Sequence, residues 1–163
     1  MPWAPCAAVP KARTFQRACL GTERRTESVK TDLCLPDTSA VLTMMDNEEG
    51  AELVEDILRT REILLPSMVL FEVYYKSIQY RGIEIAEVRY ATLKSIRAKH
   101  ISELTEPILL KGGEFKATYR MSLADAIIGA CAFIYNATLV HKDPEFEALI
   151  MVNQMKLPYK LKQ

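Results

Sequence analysis

Four acidic residues of this chain lie in apolar stretches of sequence, where a charge is costly. They are Asp37, Glu72, Asp125 and Asp143. Buried carboxylates are usually paired or hold a cation, because an isolated charge loses its hydration. If the four converge, their oxygen atoms would suit a hard divalent ion such as Mg²⁺ or Mn²⁺. Such a site can activate water and stabilise negative charge on a phosphate.

Three of the acids also have a purely structural interpretation. Asp37 could start a turn or cap a helix after a strand. Asp125 stands three residues after Ser122, the spacing of a capping box. Asp143 precedes Pro144, the usual order of an N-cap and the first helical residue. Capping and metal binding therefore both remain open for these three residues.

Glu72 is harder to explain by capping. It lies between Phe71 and Val73, and Lys76 is the one local partner at helical spacing. The sequence thus gives Glu72 the weakest structural reason to be charged.

Short apolar segments alternate with helical patterns along the body of the chain. Strands are predicted at 32–36, 63–65, 101–104, 137–140 and 155–157. Helices are predicted at 40–45, 48–59, 67–80 with Ser67 as N-cap, 83–98, 106–119, 122–135 and 145–150. This alternation is typical of an α/β fold, a parallel sheet with helices on both faces.

That fold would bring the acids to one edge of the sheet. Sites in open α/β sheets form beyond the carboxyl ends of the strands. Asp37 and Asp143 each follow a predicted strand, and Glu72 and Asp125 are expected in the first turns of helices that start at the same edge. The sequence therefore predicts that the four carboxylates meet in one cleft.

Charge is unevenly distributed along the 163 residues, although the formal net charge is zero. Residues 1–30 carry six basic and two acidic residues, which leaves 15 basic and 19 acidic residues for the remainder. The mildly acidic body is unlike a protein that binds nucleic acid through bulk charge. Residues 1–30 lack apolar periodicity and are interpreted as a disordered or mis-called extension, and 31–163 as the folded domain.

The cysteines and the hydropathy pattern favour a cytoplasmic protein without a membrane segment. Four widely spaced cysteines form no C-x-x-C pair, so they are interpreted as reduced thiols rather than zinc ligands. The longest apolar run, 126–135, is about half the length that a membrane helix needs.

Four segments, in their order and separation, resemble a PIN domain over residues 33–157. They are Pro-Asp-Thr-Ser-Ala-Val-Leu after the first strand, Ser-x-x-x-x-Glu-Val at a helix start, Leu-Ala-Asp-Ala-Ile-Ile-Gly-Ala-Cys-Ala, and Leu-Val-His-Lys-Asp-Pro-Glu-Phe. The resemblance implies a three-layer, Rossmann-type fold with about five parallel strands. It also implies a ribonuclease dependent on Mg²⁺ or Mn²⁺, as in the VapC-like toxins of type II (VapBC-like) toxin–antitoxin pairs.

The resemblance further implies roles for individual residues. By position, the catalytic and metal-binding acids would be Asp37, Glu72, Asp125 and Asp143. Ser39 matches a hydroxyl that often supports the first Asp, and Glu145 would stand in for an additional acid found in some members.

His141 departs from the family pattern, since many members have Thr or Ser two residues before the last Asp. It is interpreted either as a histidine hydrogen-bonded at the rim of the site or as a contact to metal or phosphate.

The partners implied are an RNA substrate, a small antitoxin and a second copy of the chain. Apolar residues of segments 69–80 and 83–96 are candidates for the antitoxin groove or the homodimer face. Basic candidates for RNA contact are Lys111, Lys116, Arg120 and Lys142.

Two alternative functions remain open from the sequence. The first is a non-catalytic PIN fold that serves as a binding or regulatory module in an RNA-processing complex. The second is a phosphatase or phosphotransfer domain on a related sheet. A haloacid-dehalogenase-type enzyme would need a second Asp where Ser39 stands, and a receiver domain would need an acidic pair that the sequence lacks.

Overall fold

A computed structural model of the protein describes residues 32–158. The chain forms five strands, β1 (Leu33–Pro36), β2 (Glu62–Pro66), β3 (Lys99–Ile101), β4 (Thr138–His141) and β5 (Gln154–Lys156). The α-helices are α1 (Thr38–Met45), α2 (Ala51–Thr60), α3 (Ser67–Arg81), α4 (Ile83–Ser95), α5 (Glu106–Thr118) and α6 (Leu123–Ile134). A 3₁₀ helix spans Pro144–Ala148 between β4 and β5.

The strands form one parallel sheet in the order β3-β2-β1-β4-β5. Strand β1 is central, and Leu35 of β1 is in register with Leu139 of β4. Pairing continues past the end of β1, since the backbone N–H of Asp37 donates to the carbonyl of Val140 over 3.0 Å. All five carboxyl ends therefore lie along one edge, and the predicted parallel α/β sheet is confirmed.

The two faces of the sheet are covered by different helices. Leu35 and Leu139 belong to the larger apolar cluster, with buried side chains of α3, α5 and α6. Cys34 and Val140, which neighbour Leu35 and Leu139 in the same two strands, belong to a smaller cluster with buried residues of α2. Side chains alternate between the faces of a strand, so both faces become buried and three layers result.

Strand β3 and the start of α3 differ from the sequence prediction. The strand lies at 99–101 rather than 101–104, because its pairing with β2 places Lys99 opposite Leu64. Ser67 is the first residue of α3 rather than its N-cap, a position that Pro66 takes. The Ser67 hydroxyl instead donates to the carbonyl of Ile101 over 3.0 Å, joining α3 to the end of β3.

Other boundaries shift by a few residues. Helix α1 begins at Thr38, directly after Asp37, two residues earlier than predicted. The last helical segment is a 3₁₀ helix. Glu72 lies in the second turn of α3 rather than in its first turn, since Ser67 is the first residue of the helix.

Some sequence-based interpretations concern residues outside the described range. The interpretation of residues 1–30, with Cys6 and Cys19, is among them. Within 32–158, Cys34 and Cys131 are buried and free. No helix in this range is long and apolar enough to cross a bilayer.

Two helical glycines test the packing of α5 and α6. A Cβ atom on Gly129 would lie 2.6 Å from Leu149 Cδ1, whereas one on Gly113 would meet nothing within 4 Å. We expect Gly113→Ala to raise the free energy of unfolding by about 0.5–1 kcal/mol through helix propensity. Gly129→Ala should lower it by about 1–2 kcal/mol, because buried Leu149 must move. Urea denaturation measures both, and equal effects would contradict the packing described.

Candidate active site

The order of the strands reverses between β1 and β4. From β1 the chain proceeds to β2 and β3 on one side, and then crosses to β4 and β5 on the other. Ligands of open α/β sheets bind at such a point, where neighbouring connections leave a crevice beyond the carboxyl ends. Asp37 directly follows β1, and Asp143 lies two residues beyond the end of β4.

Asp37 is buried and held by its helix. It caps α1, and its Oδ1 accepts the backbone N–H of Ala40 and the hydroxyl of Ser39, each over 2.8 Å. The Ser39 hydroxyl in turn accepts the backbone N–H of Lys142 over 2.8 Å. Ser39 therefore joins the ends of β1 and β4 and fixes the orientation of the Asp37 carboxyl group.

The Asp37 carboxyl group is far from its ordinary protonation equilibrium. Burial raises its pKa to about 7, against the hydrogen bonds from Ala40 and Ser39, which lower it. The negative charge of Asp125 raises this pKa further. A carboxyl group at this position gains from a nearby cation, which favours its charged form.

Glu72 is also buried, with 6% of its surface exposed. Its Oε2 accepts the Thr38 hydroxyl over 2.7 Å, and its Oε1 accepts the Tyr75 hydroxyl over 3.3 Å. The Lys76 ammonium group lies 3.2 Å from the same Oε1. Sequence reasoning found Lys76 and missed Thr38, whose position next to Asp37 was the available signal.

Asp125 lies in the first turn of α6, half-buried. Its backbone N–H donates to the Ser122 hydroxyl over 3.0 Å, which confirms the predicted N-cap. Burial raises the pKa of Asp125, and the negative charges of Glu72, Asp143 and Glu145 raise it further, against a hydrogen bond with Ser122. These acids from α3, α6 and the segment after β4 therefore lie within electrostatic range of one another.

Asp143 has the capping role that the sequence indicated. Its Oδ1 accepts the backbone N–H of Glu145 over 2.9 Å at the start of the 3₁₀ helix, and Pro144 is the first residue of that helix. The Glu145 side chain is exposed.

His141 is the last residue of β4 and is buried. Its Nδ1 donates to the carbonyl of Asp143 over 2.7 Å, and its Nε2 lies 3.1 Å from Gln154 Oε1. Its ring also packs edge-on against Phe146, with the ring centroids 5.3 Å apart. Both ring nitrogens of His141 therefore have partners within the protein, as expected for a histidine hydrogen-bonded at the rim of the site.

The donor set suits a divalent cation in its chemistry. Buried carboxylates that raise one another's pKa are stabilised by a cation with a preference for oxygen, such as Mg²⁺ or Mn²⁺. Within residues 32–158, however, no three acidic, histidine or cysteine side chains converge on one point in this conformation.

Three of the four basic residues proposed for RNA contact are engaged within the protein. Lys142 donates to Glu48 over 2.7 Å, Lys111 donates to Glu114 over 2.6 Å, and Lys116 donates to the carbonyl of Met121. Other basic side chains line a groove of about 280 Å³ that Lys76 joins to Glu72. Its lining residues are Leu42, Asp46, Lys76, Tyr80, Arg81 and Arg89.

The raised pKa of Asp37 predicts how the metal-free protein responds to pH. Its pKa is about 7 in the folded protein and 3.8 for the ordinary group, so protonation stabilises the fold at low pH. That stabilisation is lost as the pH rises through 7. Asp37→Asn keeps the acceptor for Ser39 and Ala40 without the charge, so at pH 8 it should exceed the wild type in stability by up to roughly 4 kcal/mol.

Urea denaturation in the presence of a chelator, from pH 4.5 to pH 8, measures this difference. The matched control is Asp56→Asn, since Asp56 is exposed and pairs with Arg59 over 3.7 Å. The difference in the free energy of unfolding between Asp37→Asn and the wild type should become smaller as the pH falls. A gap that is constant over the whole range would contradict the protonation of Asp37.

Comparison with known structures finds the same fold in bacterial toxin–antitoxin proteins. The VapBC2 complex of Rickettsia felis, bound to a promoter DNA fragment, gives a TM-score of 0.64 at 17% identity, covering 77% of this chain and 99% of that one. VapBC-1 of nontypeable Haemophilus influenzae gives 0.61 at 19% identity, covering 76% and 97%. The sarcin–ricin loop cleaving toxin VapC20 of Mycobacterium tuberculosis gives 0.59 at 17% identity, covering 73% and 96%.

A comparison with curated protein sequences finds no match. The family model of the PIN domain, however, matches residues 34–150. This match includes most of β1, all of β4 and all four of the acids that the sequence singled out. The chain therefore belongs to the PIN domain family.

Proposed function

We propose that this PIN domain is a metal-dependent endoribonuclease, and that it is the toxin of a type II, VapBC-like toxin–antitoxin pair. The observation that carries the proposal is the electrostatic coupling of the acids at the reversal of strand order. The negative charges of Glu72, Asp143 and Glu145 raise the pKa of Asp125. The charge of Asp125 likewise raises the pKa of Asp37. Acids in this position are suited to binding a cation and, through it, a phosphate group.

The proposed ligands of the ion are Asp37, Glu72 and Asp125, with Asp143 completing the site directly or through water. When bound, a divalent ion supplies Lewis-acid activation of water and charge stabilisation at the phosphate. Asp37 offers Oδ2, because its Oδ1 is occupied by Ser39 and Ala40.

The remaining residues would orient the acids and handle the proton. Ser39 holds Asp37 and Thr38 holds Glu72, so the two neighbouring hydroxyls position carboxyl groups from β1 and α3. A carboxylate that is not committed to the ion would orient the attacking water and accept its proton as general base. Asp143 and Glu145 are suited to this role, since the first is half-buried and the second is exposed.

The toxin role rests on the likeness to VapBC and VapC structures and on an exposed apolar surface. Helices α3 and α4 present large apolar side chains to solvent, namely Phe71, Tyr80, Ile83, Ile85 and Val88. Such surfaces often mark protein interfaces. We propose a small antitoxin and a second copy of the chain as partners of this cytoplasmic protein, with RNA as substrate.

Replacement of Asp125 should separate catalysis from folding. Asp125→Asn removes one ligand, and we expect it to reduce cleavage of single-stranded RNA in Mg²⁺ or Mn²⁺ by at least about 100-fold. Because the pKa of Asp125 is raised in the fold, loss of this charge should not lower the melting temperature at pH 7.5.

The matched control is again Asp56→Asn, which should cleave as the wild type does. Chelation with EDTA should abolish cleavage by the wild type, and Mn²⁺ should restore it. Wild-type cleavage rates in Asp125→Asn would contradict the assigned role. A wild-type protein that binds RNA without cleaving it in either metal would favour the non-catalytic module instead.

Expression in a bacterial host tests the toxin role. We expect induction of the wild type to arrest growth, and Asp125→Asn expressed at the same level to permit it. Wild-type growth during induction of soluble, RNA-cleaving protein would contradict the toxin role and leave the nuclease activity standing.

A further inference from the structure

Lys76 lies at the boundary between the acidic site and the groove beside it. Its ammonium group is 3.2 Å from Glu72 Oε1, and its side chain is 32% exposed against 7% for that of Glu72. The other face of Lys76 lines the groove with Tyr80 and Arg81. The ammonium group of a partly exposed lysine therefore pairs with the carboxylate that the sequence could least explain.

Glu72 receives three donors, but only one of them carries charge. Thr38 and Tyr75 contribute neutral hydroxyl groups, at 2.7 Å and 3.3 Å. A buried carboxylate needs a positive partner as well as hydrogen bonds, because neutral donors only partly replace its hydration. In this arrangement Lys76 supplies the positive charge.

A divalent ion and Lys76 would compete for the same oxygen. Thr38 donates to Glu72 Oε2 over 2.7 Å, whereas the two partners of Oε1 lie at 3.2 Å and 3.3 Å. A metal ion would therefore approach Oε1, whose contacts are longer and easier to displace. Two cations at one carboxylate oxygen repel each other strongly in a poorly hydrated site. The ammonium group would move into the solvent of the groove, where the Asp46 carboxylate is already paired with Arg81 and Arg89.

We propose that Lys76 is the internal cation of the metal-free site: its ammonium group pairs with Glu72 until a divalent ion displaces that group. The competition between Lys76 and the ion thereby sets the affinity of the site for the ion. This inference rests on the proposed metal-dependent function. It makes Lys76 a positioning residue, acting through Glu72. Removal of the Lys76 charge should therefore lower the stability of the metal-free protein and raise its affinity for the metal ion.

Calorimetric titration with Mn²⁺ tests the competition directly, without measuring activity. Lys76→Met keeps the aliphatic stem and removes the charge, so the dissociation constant for Mn²⁺ should fall about tenfold, equivalent to about 1.4 kcal/mol. The matched control is Lys111→Met, since Lys111 forms a similar helical pair with Glu114 over 2.6 Å on α5. Its affinity for Mn²⁺ should equal that of the wild type.

Thermal melting supplies the second measurement. In EDTA at pH 7.5, Lys76→Met should melt below the wild type, because Glu72 loses its positive partner, and Mn²⁺ should close the gap. Lys76→Arg keeps the charge and should behave as the wild type in EDTA.

The outcomes separate this inference from the proposed function. Unchanged or weaker Mn²⁺ affinity in Lys76→Met, with normal binding by the wild type, would overturn the role of Lys76 alone. Absence of Mn²⁺ and Mg²⁺ binding in the wild type and in Lys111→Met would overturn the proposed metal dependence and this inference with it.

Discussion

Two strands that are distant in the sequence, β1 and β4, lie side by side in parallel at the centre of the sheet. Their pairing continues to the hydrogen bond between Asp37 and Val140, and the Ser39 hydroxyl then bridges Asp37 and Lys142. Because the two strands end together, the residues that follow them must share one crevice. The placement of the acids from the α3 and α6 helices depends on that crevice.

The acids at this edge have two roles at once. Asp37, Asp143 and the Ser122–Asp125 pair all make helix-capping contacts. The charge of Asp143 also raises the pKa of Asp125, and the charge of Asp125 raises that of Asp37. Capping explains how carboxyl groups are held near the ends of the central strands. It does not explain why so many negative charges are gathered, since caps can also be made by neutral Ser, Thr or Asn. The proposed function, which needs a cation, would supply that reason.

The sequence was most informative where short-range signals and topology agreed. Apolar segments of β1, β2 and β4 predicted buried parallel strands, and Ser122 marked the start of α6 because its cap is local. Strand β3 was misplaced, since an edge strand of three residues takes its register from β2 rather than from its own pattern. The contact between Thr38 and Glu72 joins residues 34 positions apart, so the pattern around Glu72 could not reveal it, and the position of Thr38 beside Asp37 was the available signal.

We propose that Asp37, Glu72, Asp125 and Asp143 together bind a divalent ion at the point where the strand order reverses. Crystals grown with Mn²⁺ and measured at a wavelength that gives manganese anomalous scattering test it most directly. We expect an anomalous peak among these carboxylates, with Lys76 turned away from Glu72. A fully ordered site without a peak, with Lys76 still on Glu72 at millimolar Mn²⁺, would contradict it.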